Sequence, residues 1–312
     1  MLNNKSIYCK NRLIQIFPET VQFLVGCTSR KLRQRIYSIP FIGHYLQITL
    51  KSTLQTVLYT KGFQWFKSKS GHRAGLEMKL KLPEESEFYL ETHDPDVTIS
   101  LCKCIQPGFT VVDVGAHIGY FTLLISRLVG PEGKVFALEP LPRNVIRLEE
   151  HLFRNHCSHN TKVFQVALAE YDGKEQFLYF DFATIGRFSS AESEVRDKPS
   201  GDITVECRSL DSLLQDNSIK LPDFVKIDVE GAELRVLQGA ENLLRISRPK
   251  LLIEFHNKKI FKEVIEFLKN RGYRAYINEK MLNKLTFPQA TLMGVNILFT
   301  HCQKFRNNRC LI

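Results

Sequence analysis

The sequence predicts an α/β fold, a mostly parallel seven-stranded sheet with helices on both faces, preceded by a basic, amphipathic helical region. Three observations carry this. From about residue 85 onward, short runs rich in Val, Ile, Leu and Phe alternate with helical stretches. In VVDVGAHIGYFT (111–122) an apolar strand runs into Asp113 and a glycine turn, then straight into an amphipathic helix. The next apolar strand, Val135 to Leu138, ends in an acid, Glu139.

The seven strands are expected at Thr110–Val114, Lys134–Leu138, Thr161–Gln165, Phe224–Asp228, Lys250–Phe255, Arg274–Asn278 and Asn296–Thr300, with helices between most of them. Alternation of this kind places a ligand at the carboxyl ends of the strands, near the point where strand order reverses. Between the third and fourth strands lies an excursion, Glu175 to Leu214, with strand-like runs at Gln176–Phe180 and Ile203–Arg208. The polar stretch Ala183–Gly201 reads as a substrate-side loop.

At 312 residues and 44% hydrophobic content the chain can hold one large domain and an appendage. We place the boundaries at 1–84 for the basic N-terminal region, 85–302 for the α/β domain and 303–312 for a basic tail. The net charge of +10 belongs to the N-terminal region, where residues 1–82 carry 14 Lys and Arg against 2 acids. The rest of the chain is close to neutral. Within Phe41–Phe66 apolar and aromatic side chains recur at helical spacing among the basic ones, after a break at Pro40 and Gly43. Such a helix either lies on an anionic membrane surface, grips a polyanion, or caps the α/β domain with its lysines solvated. Eight cysteines are scattered with no C-x-x-C pair and no zinc-like spacing, so reduced thiols and no metal site are expected. With no signal-peptide pattern and no run of 18 uncharged apolar residues, the expectation is a cytoplasmic chain, soluble or peripheral to a membrane.

Strand, glycine turn, helix and strand-terminal acid together form an adenosine-ligand pattern. The glycines are Gly115 and Gly119 in D-x-G-x-x-x-G spacing, and neither G-x-G-x-x-G nor G-x-x-x-x-G-K-[ST] is present. Without a pyrophosphate cradle, S-adenosylmethionine is favoured over NAD or ATP. Asp113 closes the first strand, Gly115 and Gly119 clear space for the amino-acid end of the ligand, and Glu139 accepts from the ribose. Asn144 either caps the following helix or faces the ribose and adenine, and Ala167 either sits near the adenine or is a packing choice.

A second constellation, FVKIDVEGAELRV (224–236), carries Lys226 in an apolar strand that ends in Asp228, followed by Glu230, Gly231 and Glu233. Carboxylates held this close raise one another's pKa and suit a cation or a proton transfer. Glu233 alone reads as a favourable acid in a first helical turn. A third strand, LLIEFHN (251–257), ends in Glu254 and His256, and a strand-terminal His256 is either a general base or a satisfied structural histidine.

Together the turn at Asp113–Phe121, Glu139-Pro140, Leu210-Asp211, K-I-D-V-E-G-A-E at Lys226–Glu233 and Ile253-Glu254 resemble the FkbM family of S-adenosylmethionine-dependent methyltransferases over roughly residues 90–300. The resemblance implies a class I methyltransferase (Rossmann-like) fold and O-methylation of hydroxyls on polyketides and sugars. Members of that family usually carry Asn where His117 stands, so His117 is the place where the contact to the cofactor differs.

The expected reaction is an in-line methyl transfer to a hydroxyl of a sugar, lipid-linked glycan or polyketide-like small molecule. Asp228 or His256 serves as base, and Glu230 orients the acceptor or contacts the cofactor amino group. A divalent metal bridging Asp228 and Glu254 is allowed by residue type alone. Two other readings compete: an RNA methyltransferase using the basic, aromatic-bearing N-terminal region, and a non-catalytic membrane-peripheral binding module.

Overall fold

The computed structural model describes residues 62–180, 185–190, 198–255, 257–277, 280–281 and 295–302. These fall into two compact units, one holding 62–66 and 79–93, the other 67–78 and the described residues from Asp94 on. In the smaller unit a short helix, Ser86–Tyr89, brings Tyr89 against Phe66 with ring centroids 5.0 Å apart. Gln64–Lys67 is a strand, so the part of the Phe41–Phe66 helix that is described is extended instead. The remainder of that helix, and the 303–312 tail, lie outside the described residues.

The larger unit is built on an eight-stranded sheet. Its strands are β1 (Thr110–Val114), β2 (Lys134–Leu138), β3 (Thr161–Phe164), β8 (Phe224–Ile227), β9 (Lys250–Phe255), β10 (Tyr273–Ile277), β11 (Lys280–Met281) and β12 (Val295–His301). The spatial order is β11-β10-β12-β9-β8-β1-β2-β3, with β9 to β3 parallel and β12 antiparallel to both of its neighbours. All seven expected strands are present. The eighth is a two-residue hairpin partner at the edge.

The helices are α1 (Pro95–Cys104), α2 (Tyr120–Val129), α3 (Pro142–Arg154), α4 (Leu210–Gln215), α5 (Glu233–Gln238), α6 (Glu241–Ser247) and α7 (Lys258–Lys269). Period-two alternation gives each central strand two buried faces. Val112, Val114, Val225, Ile227, Leu251 and Ile253 point into a large apolar cluster with residues of α4 to α7. The opposite parity, which includes Asp113 and Lys226, faces α2, whose Thr122 hydroxyl donates to the Asp113 carboxylate at 2.7 Å. The expected Leu210-Asp211 helix entry is α4, capped by Ser209, and Asp211 accepts from the backbone N–H groups of Asn242 and Leu243 at the start of α6.

The excursion forms a second sheet of β4 (Ala167–Leu168), β5 (Gly173–Phe180), β6 (Ile185–Phe188) and β7 (Gly201–Arg208), ordered β4-β7-β5-β6. The two strand-like runs are therefore real strands. The stretch expected to be a polar loop is in part a strand, because β6 takes its backbone partners from β5. Arg235 on α5 donates to Glu170 at 2.6 Å and to Glu175 of β5 at 3.0 Å, which ties this sheet to the helix after the acidic turn. Among the described residues no helix is long and apolar enough to cross a membrane.

Candidate active site

Strands β8, β1 and β2 are neighbours, so the turn after β1 lies between Asp228 at the end of β8 and Glu139 at the end of β2. Backbone bonds close this edge: Gly115 and Ala116 N–H both donate to Leu138 O at 3.0 Å, and Asp228 N–H donates to Val114 O at 3.1 Å. Gly115 and Gly119 have φ of +76° and +87°, the left-handed region that favours glycine. A Cβ on Gly115 would stand 1.9 Å from Asp228 O, and one on Gly119 would stand 2.5 Å from Leu148 Cδ1. The fold itself thus demands both glycines: one lets β8 approach the turn, the other lets α3 approach it.

Glu139 is buried and accepts three hydrogen bonds. Leu141 N–H and the Asn144 side-chain amide donate to Oε1, each at 3.0 Å, while His117 N–H donates to Oε2 at 3.0 Å. Burial pushes the carboxyl up to about 7, against the pull of these three donors and with a smaller upward push from Asp113. A carboxylate has about four lone-pair sites, so one acceptor position on Oε2 remains for a ligand hydroxyl. The start of α3 has no side-chain cap bond, and the Asn144 amide orients Glu139. His117 makes its backbone bond to Glu139 from the left-handed region, at φ +53°.

Asp113 does not occupy the position expected of it. It is 0% exposed, with Oδ2 bonded to Thr122 and Oδ1 3.6 Å from the Lys226 ammonium, so it supports the site from beneath and offers no surface to a ligand. Ala167 is likewise buried, in an apolar cluster with Leu141, Phe177, Phe188 and Ala232, which favours its packing reading. His256 lies outside the described residues.

On the other side, Asp228 is partly exposed, and its Oδ2 stands 3.2 Å from Lys226 Nζ. Glu230 has φ +50° and Gly231 φ +100°, so the Val229–Ala232 turn folds back sharply before α5. Glu233 is buried and accepts from Gly231 N–H at 3.0 Å, pinning that turn, which goes beyond a solvated first-turn acid. Glu254, next along the sheet, is also buried. The cation beside Asp228 is the Lys226 ammonium, which also stands 3.6 Å from Asp113. Among the described residues no group of three or more His, Cys, Asp or Glu could hold a metal ion. Lys226, a charged residue two before Asp228 in an otherwise apolar strand, is a site group that local sequence marks without assigning it a role.

The family model of the methyltransferase FkbM domain matches residues 113–275, from the strand-end Asp113 to β10. The chain belongs to the FkbM methyltransferase family. Hexuronic acid methyltransferase AglP of Haloferax volcanii is 30% identical over 175 residues, 56% of this chain and 67% of AglP. The 31-O-demethyl-FK506 methyltransferase FkbM of Streptomyces tacrolimicus is 25% identical over 195 residues, 54% of this chain and 74% of that protein. AMB antimetabolite synthetase AmbE of Pseudomonas aeruginosa is 27% identical over 222 residues, 61% of this chain. The chain spans about a tenth of the length of AmbE.

FkbM membership implies S-adenosylmethionine as the cofactor, and the residues fit it. The open acceptor position on buried Glu139 suits a ribose hydroxyl, and the acidic end of β8 suits a cationic sulfonium.

Proposed function

We propose that this FkbM-family chain transfers a methyl group from S-adenosylmethionine to a hydroxyl of a small-molecule or glycan acceptor. The observation that carries the reading is the division of carboxylates across one turn: Glu139 at the end of β2 and Asp228 at the end of β8 flank the glycine turn of β1. The cofactor, when bound, supplies an activated methyl group. Glu139, with Asn144 and the His117 backbone behind it, holds the ribose, while Asp228 faces the acceptor side and takes or orients the hydroxyl proton. Glu230, in the left-handed turn two residues on, borders the same acidic end of β8. The names of AglP and FkbM, which specify a hexuronic acid and 31-O-demethyl-FK506, support a hydroxyl on a sugar or polyketide-like molecule.

A labelled-methyl assay of the full chain against fractionated glycan, lipid, small-metabolite and RNA pools tests this. Label entering a glycan or small-metabolite fraction, and lost with Asp228→Asn, is the expected result. Label entering RNA alone would replace the reading.

A further inference from the structure

Four charged side chains from three adjacent strands meet on one face of the sheet. Lys226 is paired in register with Asp113 on β1 and with Leu252 on β9. Residues 226 and 228 share a face, and the same register carries Glu254 of β9 to the level of Asp228. The Lys226 ammonium lies 3.2 Å from Asp228 and 3.6 Å from Asp113, and 5.3 Å from the centre of the Phe121 ring that covers it. Lys226 is 3% exposed.

Stability of the fold does not explain this array. Burying an ammonium and its partner carboxylates carries a desolvation cost that ion pairing roughly offsets at best, and apolar residues of similar size would serve the sheet as well. The surroundings also bias the charge state. Burial pushes the Lys226 pKa down, yet Asp228, Asp113 and Glu254 together raise it above the ordinary lysine value, so the ammonium stays charged. The Lys226 ammonium thus ties carboxylates of β1 and β8 together beside the glycine turn.

We propose that Lys226 is a positioning residue: its buried ammonium, seated against Asp113, holds the partly exposed Asp228 carboxylate in a fixed place beside the glycine turn, where it faces a cationic methyl donor. The role rests on the methyl-transfer reading given above. Without the ammonium, Asp228 loses the partner that fixes it at the end of β8. Discrimination between a sulfonium and the neutral thioether that remains after methyl transfer then fades.

Calorimetric binding of S-adenosylmethionine and S-adenosylhomocysteine to the full chain tests this without an acceptor. In Lys226→Met we expect affinity for the sulfonium form to fall about tenfold and that for the thioether by less than about threefold, while Lys226→Arg keeps the ratio close to wild type. If Lys226→Met does not fold, Asp228→Asn decides, because it removes the carboxylate that Lys226 holds and must lower the same ratio. Equal losses for both ligands, or an unchanged ratio in Asp228→Asn, would overturn the proposal while leaving the methyl-transfer reading intact. Wild-type protein that binds neither ligand would sink that reading and this role with it.

Discussion

Asn144 donates its side-chain amide to the Glu139 carboxylate at 3.0 Å, so the acid that ends β2 is held by the first turn of the helix that follows it. Both groups are buried, and a hydrogen bond to a charged group in such a place contributes about 1.5–3 kcal/mol. Asn144→Ala should therefore cost about 2 kcal/mol of stability and push the Glu139 carboxyl further up from about 7. Chemical denaturation at neutral pH reads the first effect. An unchanged midpoint would show that Glu139 does not need this donor.

The raised Glu139 carboxyl gives opposite pH trends for stability and for cofactor binding. Its folded value of about 7 stands above the ordinary 4.5, so the protonated form is favoured on folding. That contribution is fully present below about pH 4.5 and is lost as pH rises through 7, a change of about 3 kcal/mol. Cofactor binding runs the other way, since a ribose hydroxyl donates best to the ionised acid. Affinity for S-adenosylmethionine should rise about tenfold between pH 6 and pH 8, following the ionised fraction. In Glu139→Gln both slopes should flatten. Parallel slopes in wild type and variant, by calorimetry and by urea denaturation across this range, would assign the titration to another group.

How much of this was legible in the sequence depends on how local each feature is. Glu139 and Asp228 were readable because two apolar runs, Val135–Leu138 and Phe224–Ile227, stop abruptly at acids. Strand β6 was not, since IGRF has no alternation of its own and is extended only through its pairing with β5. Gln64–Lys67 follows basic residues at helical spacing, and nothing local marks the change to a strand beyond Gly62 and the aromatic pair Trp65 and Phe66. Lys226 was visible as a lone charge in β8, but its neighbour Asp113 lies more than a hundred residues earlier and meets it only through the adjacency of β8 and β1. The same adjacency moved Asp113 from the expected ligand surface to the support beneath it.

The two site glycines should differ in what they tolerate. Alanine at either must adopt a left-handed φ, which costs roughly 1–2 kcal/mol. At Gly115 the new methyl would also meet the Asp228 carbonyl at 1.9 Å, a backbone atom that cannot turn away, whereas at Gly119 it meets the tip of Leu148 at 2.5 Å. Overpacking against rigid backbone adds about 1–3 kcal/mol, so Gly115→Ala should lose about 3 kcal/mol or more and Gly119→Ala about 2 kcal/mol. Urea denaturation of the two variants gives the order, and a reversed order would mean that α3 cannot yield around Leu148.

His117 stands where the resemblance to the FkbM family implies an asparagine, and it gives the site a backbone N–H. That group donates to Glu139 Oε2 at 3.0 Å from a left-handed residue at φ +53°. Asparagine tolerates this conformation better than histidine, and glycine better still. His117→Asn and His117→Gly should therefore keep the Glu139 bond and bind S-adenosylmethionine within about threefold of wild type, a difference under about 1 kcal/mol. His117→Pro fixes φ near −65° and removes the N–H, so it should abolish binding and destabilise the chain. If His117→Asn loses cofactor affinity by more than tenfold in calorimetry, the imidazole itself touches the cofactor, and this chain recognises its methyl donor through that side chain.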